Sequence, residues 1–214
     1  MTPEALAHLS KRCPLMRRLI RQHGPCTLAP EPGRSPFESL VRAVAHQQLN
    51  GTAAETILGR FRALFPGKRF PTPKCLAAVD DEALRAAGFS RAKIAAIRDI
   101  AAKTLDGTVP TSRAIQKMSD EEIVRRLVQV RGVGRWTVEM LLIFKLGRPD
   151  VFPADDFGVR NGFRIATGED ELPKSKVLLA HAERWRPYAT TAAWYFWRAA
   201  DAAKEAKPIK GVNS

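Results

Sequence analysis

Helix-start signatures recur along this chain, and no run of alternating apolar and polar residues extends beyond a few positions. That combination restricts the fold more than any other feature. A half-buried strand needs a period of two, whereas a helix needs a capped start and then apolar residues three and four apart. Ser35-Pro36-Phe37-Glu38 supplies a capping hydroxyl, a proline at the first helical position and a glutamate at the third. Phe37, Leu40, Val41, Val44, Ala45 and Leu49 follow at helical spacing, and Asn50-Gly51 is expected to end that helix. Thr52-Ala53-Ala54-Glu55 reads as a second capping box, with Ile57, Leu58, Phe61 and Leu64 on one face and a stop at Pro66-Gly67. Ser119-Asp120-Glu121-Glu122 reads as a third, leading to Ile123 and Leu127. Between them, Phe70-Pro71-Thr72-Pro73 is a stiff connector into a short helix around Leu76 to Val79. Asp80-Asp81-Glu82 opens another, ended by Gly88, and Ser90 begins a longer one with Ile94, Ile97, Ile100, Ala101 and Leu105. Later helices are expected over roughly 174–185 and 188–204, then a polar tail from Lys204 to Ser214 that should fray. The fold class is all-α.

With 214 residues, 45% of them hydrophobic, the chain can build one ordinary domain or two small lobes sharing a core. Lysine and arginine number 35 against 22 acids, a net charge of +13. Such an excess is the footprint of a polyanionic partner; the alternative is a basic but inert surface. Cys13, Cys26 and Cys75 are isolated and odd in number, which argues against a disulfide framework or a zinc site and for a reducing, intracellular compartment. The four histidines, His46 among them, lack partners at ligand spacing. Apolar runs such as Met140 to Phe144 are too short for a membrane span. Lys11, Arg12, Arg17, Arg18 and Arg21 crowd the N-terminus without the apolar stretch of a signal peptide. They suggest a basic helix, either lying on a polyanion or simply solvated.

The most informative segment runs from Leu127 to Met140. One helix is expected to end at Val130 and another to begin near Arg135, with Gly132-Val133-Gly134 between them. Two glycines one residue apart permit backbone torsions that other residues resist and leave no side chains in the way. A phosphate can then reach the N–H groups that open the second helix, where the helix dipole also favours an anion. Arg131 and Arg135 flank the turn. Read without that ligand, the same residues make an ordinary turn between two helices.

Several motifs stand in order around this hairpin: Gln47-Gln48-Leu49, Phe70-Pro71-Thr72-Pro73, Gly88-Phe89-Ser90 followed by Lys93, and Val151-Phe152-Pro153-Ala154-Asp155-Asp156. Together they resemble the helix-hairpin-helix DNA glycosylases, and most of all the alkylpurine branch, the 3-methyladenine DNA glycosylase II family. The likeness runs from about Phe37 to Trp197. Larger relatives carry an additional β-rich N-terminal domain, so the chain is similar to the compact form. The resemblance implies two helical lobes, one of about 1–49 plus 147–214 and one of about 50–146, with a DNA-binding cleft between them. It implies a monomer acting on double-stranded DNA in base excision repair, inside a bacterial cytoplasm or a nucleus.

What the resemblance implies chemically is specific. The catalytic carboxylate falls on Asp156, the second of the Asp155-Asp156 pair, although either acid is also suited to cap a helix carrying Phe157, Val159 and Phe163. Alkylation at N3 or N7 makes a purine a cationic leaving group, and one fixed carboxylate can stabilise the oxocarbenium-like sugar and orient a water. The base must first be flipped out of the duplex. Leu49 matches the intercalating residue, or completes its helix face; Gln47 and Gln48 contact bases or cap. Trp136 and Trp197 match aromatic pocket residues that stack on a cationic base, and Met140 stands where a relative has tyrosine. Gly132, Val133, Gly134 and Arg135 are the expected backbone-binding residues. The backbone carbonyls of Val128, Val130 and Val133 would hold a monovalent cation, Na+ or K+, at the turn. No cofactor is expected for catalysis. Trp136 occupies the place where lyase-competent relatives carry lysine, so a Schiff base should not form there. No cysteine follows Cys75, so no iron–sulfur cluster is expected. Two other readings share these motifs: a non-catalytic helix-hairpin-helix DNA-binding protein, and a glycosylase for other damaged bases. Trp185, Trp194 and Tyr195 are expected in the core.

Overall fold

A computed structural model describes residues 2–31, 33–49 and 51–206. Asn50 and residues 207–214, most of the expected tail, lie outside them. Among the described residues there are thirteen α-helices and no strand. The basic N-terminal segment forms two helices, α1 (Pro3–Arg12) and α2 (Pro14–His23), each opening on a proline. Neither is merely solvated. Ala5, Leu9, Met16 and Leu19 are buried, while Lys11, Arg12, Arg17, Arg18 and Arg21 are exposed.

The next helices are α3 (Pro36–His46), α4 (Gly51–Ala63), α5 (Pro73–Ala78), α6 (Asp81–Ala86) and α7 (Arg91–Leu105). They are followed by α8 (Ser112–Ile115), α9 (Asp120–Leu127) and α10 (Arg135–Met140), which runs on as a π-helical turn, Leu141–Lys145. The last three are α11 (Phe157–Thr167), α12 (Ser175–Ala182) and α13 (Ala189–Glu205). The caps are the polar residues the sequence offered. Ser35, Asp80, Ser90 and Ser119 accept from the N–H groups of Glu38, Ala83, Lys93 and Glu122 at 3.1, 2.7, 3.3 and 3.2 Å. Each such cap contributes roughly 1 kcal/mol to its helix.

Two expected boundaries move. α3 stops at His46 rather than at Asn50-Gly51, because Gln47 leaves the helical region with ψ 129° and Gln48 follows it with a left-handed φ of 59°. α4 is already running at Gly51, so Thr52 is an interior residue whose carbonyl accepts from Thr56 Oγ1 at 2.9 Å, and not a cap.

The chain divides into two units, one of residues 31–146 and one of residues 1–30 with 147–214. The first break therefore falls before α3, earlier than the expected 49/50, because α3 packs on α7 and on the π turn. In the 31–146 unit, the fully buried Phe61 ring meets Phe65, Phe70 and Phe89 at centroid distances of 5.4, 5.7 and 5.5 Å. Removing such a ring costs about 3–5 kcal/mol. The other unit is built on α11 against α13. Trp185, Trp194 and Tyr195 are buried there, as expected, with Phe152, Phe163 and Phe196. The approach of these two helices is set by Gly162: a Cβ there would fall 1.8 Å from the carbonyl oxygen of Phe196.

Candidate functional site

In the unit of residues 1–30 and 147–214, Val151 to Asp155 is an irregular stretch that delivers Asp156 to the start of α11. Asp156 is the helix cap, half-buried, and its Oδ1 accepts from the Val159 N–H at 2.8 Å. The same oxygen accepts from the indole Nε1–H of Trp197, on α13, at 2.8 Å. Capping and a functional carboxylate are thus compatible: the Val159 N–H and the Trp197 indole together fix the direction of the group. Asp155 differs. It is exposed, and its carboxylate accepts from the Ser175 hydroxyl.

Trp197, expected as a stacking surface, therefore reaches Asp156 through its N–H. Gly158, which is not among the residues expected at the site, permits this. A Cβ at Gly158 would sit 2.8 Å from Trp197 Cδ1 and 3.1 Å from Asp156 Oδ1. The signal was available as two glycines four apart, Gly158 and Gly162, on one face of a helix. Phe157, between Asp156 and Gly158, is 64% exposed, unusual for a phenylalanine beside a candidate acid.

In the unit of residues 31–146, the hairpin forms with a shorter first helix than expected. α9 ends at Leu127, and Val128 to Gly134 make the turn, in which the N–H groups of Val130 and Val133 donate to the carbonyls of Leu127 and Val130 at 3.1 and 3.0 Å. Its two glycines serve different ends. Gly132 has φ 75°, and a Cβ on it would meet Ala96 Cβ at 3.0 Å, so the protein itself requires glycine there. Gly134 has φ −90°, ψ 171°, and nothing lies within 4 Å of the Cβ it lacks. A side chain there would be unstrained, and the space it leaves open lies at the N-terminus of α10, which has no side-chain cap. Arg135 is exposed at that terminus and donates to Glu139 Oε1 at 3.0 Å. The Arg131 N–H donates to Asp99 Oδ2 at 2.7 Å.

The other expected site residues of this unit separate into groups. Gln48 and Leu49 are exposed just past α3, Leu49 at 40%, so Leu49 does not complete the helix face. Gln47 does not extend into solvent: its Nε2 donates to the Gly132 carbonyl at 2.9 Å. Met140 lines a cavity of about 310 Å3 with Leu40, Ala43, Thr137, Leu141 and Phe144. Trp136 is not part of that lining and is 43% exposed. His46 pairs with Glu55 at 3.2 Å beside Arg42, which also bonds the buried Glu38 at 3.0 Å. Among the described residues no helix is long and apolar enough to cross a membrane.

Comparison with known proteins places the chain in a family. A DNA-3-methyladenine glycosylase of Schizosaccharomyces pombe is 44% identical over 177 residues, 83% of this chain and 78% of that protein. The solved S. pombe 3-methyladenine DNA glycosylase in complex with abasic DNA superposes with a TM-score of 0.82 at 42% identity, covering 91% of this chain and 95% of that one. A crystal structure of a DNA-3-methyladenine glycosidase from Bacillus halodurans superposes with a TM-score of 0.84 at 34% identity, covering 96% and 92%. Residues 41–187, which include both the hairpin and Asp156, match the HhH-GPD superfamily of base excision DNA repair proteins, and the chain belongs to that superfamily.

Proposed function

We propose that the chain is a monofunctional DNA glycosylase that hydrolyses the N-glycosidic bond of alkylated purines of the 3-methyladenine and 7-methylguanine type in double-stranded DNA. The observation that carries this reading is the Asp156 carboxylate, held at a helix start by the Val159 N–H and the Trp197 indole. A cationic base leaves without needing a second carboxyl as general acid. As the bond lengthens, positive charge grows on the sugar, and a carboxylate already fixed in direction stabilises it without reorganising. The same group orients or deprotonates the water that completes hydrolysis. At the hairpin the residue after Gly134-Arg135 is Trp136, which has no amine to form a Schiff base. Trp136, with its exposed indole, and Met140, in the cavity wall, would contact the base.

The DNA backbone is gripped at the Gly132–Arg135 turn, by the uncapped N–H groups of α10. Na+ or K+ belongs to this part of the reading. The carbonyls of Val128, Val130 and Val133 are hard oxygen donors of the kind such ions take. Val130's carbonyl already accepts the Val133 N–H, and a carbonyl oxygen has a second lone pair. The protein would act as a monomer inside the cell.

Incubating the purified protein with methylated duplex DNA and separating the free bases tests the assignment. Wild type should release 3-methyladenine or 7-methylguanine and leave an intact abasic strand, with no covalent adduct on borohydride trapping. Asp156→Asn should bind the DNA and release nothing. Binding without release by wild type would make the protein a non-catalytic DNA-binding member of the superfamily; a strong borohydride adduct would overturn the monofunctional chemistry.

A further inference from the structure

The end of α3 and the hairpin turn are far apart in sequence, yet several independent contacts fasten them together. Gln47 Nε2 donates to the Gly132 carbonyl at 2.9 Å across 85 positions. Lys93 Nζ donates to the Ala45 carbonyl, in the last turn of α3, at 2.8 Å. Asp99 accepts the Arg131 N–H at 2.7 Å, and the Cβ of Ala96 lies 3.0 Å from where a Cβ on Gly132 would sit. Lys93, Ala96 and Asp99 are three apart along α7, so they form one stripe on one helix face. That stripe holds the α3 end at one extremity and the hairpin turn at the other. The residues that follow Gln47 are the left-handed Gln48 and the exposed Leu49.

We propose that Gln47 is a positioning residue that makes the hairpin turn and the Gln48-Leu49 insertion segment one rigid element. The inference rests on the glycosylase reading above. A phosphate seated at the turn then fixes where the insertion segment meets the stacked bases, with no separate ordering step after the backbone is bound. The amide is suited to this because its N–H reaches the Gly132 carbonyl, whereas the turn's N–H groups at Val130 and Val133 donate to Leu127 and Val130. The α7 stripe keeps each part in place, whereas Gln47 is the direct link between them, so its loss should leave the fold and the backbone grip standing and disturb their registration.

The test uses the full chain with Gln47→Ala and with Gln47→Met, which keeps the length and removes the donor without adding charge. Four quantities are measured: melting temperature, affinity for undamaged duplex, fluorescence of 2-aminopurine placed beside an alkylated base, and single-turnover base release. Both variants should melt within about 4 °C of wild type and bind undamaged duplex within about threefold of it. Unstacking fluorescence should be largely lost and base release should slow roughly tenfold, the scale of one lost hydrogen bond. Adding either change to Gln48→Ala/Leu49→Ala should slow release no further, because the link would then have nothing to position. Wild-type unstacking in either Gln47 variant would overturn the proposal, and so would additive losses, which would make Gln47 a direct DNA contact. The fluorescence signal needs no bond cleavage. A wild-type protein that unstacks the base and fails to release it refutes the glycosylase reading and leaves this test intact.

Discussion

The Asp156 carboxylate and the Trp197 indole meet at 2.8 Å, and the meeting depends on the absence of one methyl group at Gly158. A hydrogen bond to a charged acceptor is worth about 1.5–3 kcal/mol, which corresponds to roughly ten- to a hundredfold in rate if the bond is tightest in the transition state. Trp197→Phe keeps a ring and removes the donor. Single-turnover base release should fall by that factor while affinity for alkylated over unmodified DNA changes little; a large loss of discrimination with an intact rate would return Trp197 to a stacking role. Gly158→Ala should act on the same contact from the other side. Its methyl displaces the indole, so release should drop with only a small change in melting. Gly162→Ala, one turn further on, should do the opposite. There the added carbon strikes the Phe196 backbone, α11 must move from α13, and stability should fall by about 3 kcal/mol, read as a loss of roughly 6–12 °C in Tm.

At the level of elements, the hairpin is a turn whose two glycines answer to different constraints. Gly132 is demanded by its own backbone and by Ala96. Gly134 is demanded by neither, so its empty space is meaningful only if something outside the chain enters it. Gly134→Val should therefore melt as wild type does and bind both alkylated and undamaged duplex more weakly, with the preference between them preserved, because phosphate contacts position a protein and do not read a lesion. Gly132→Ala should lower the melting temperature, since φ 75° costs an alanine about 1 kcal/mol or more before any clash is counted. Binding of undamaged duplex by Gly134→Val at wild-type strength would reduce the hairpin to a connector between α9 and α10.

For the molecule as a whole, the net charge of +13 sets the expected response to salt. Affinity for duplex should fall linearly on a log–log plot against salt concentration, and each lost phosphate contact should lower the slope by about 0.9. Arg131 has an exposed side chain at the hairpin. Arg131→Ala should lower the slope by one such step, equally on alkylated and undamaged DNA, in fluorescence anisotropy titrations across a salt series. An unchanged slope would place the phosphate contacts elsewhere on the basic surface, for instance on the arginines of α1 and α2.

Local chemistry determined most of what the linear chain could specify alone. Helix starts are set by a hydroxyl or carboxyl reaching an N–H three residues on, so Ser35, Asp80, Ser90, Ser119 and Asp156 were legible as caps. The ordered motifs were legible too, because they depend on residue type and order along the chain, and the family resemblance they carry pointed to Asp156. Tertiary structure decided what those rules cannot reach. The torsions of Gln47 and Gln48 ended α3 early, and packing of α3 on α7 moved the first unit boundary to residue 31. The partner of Trp197's N–H, the need for glycine at 158 and 162, and the link from Gln47 to Gly132 join residues distant in sequence or packed against another helix. Such contacts leave no periodic trace in the chain, because what they require is a distance in space.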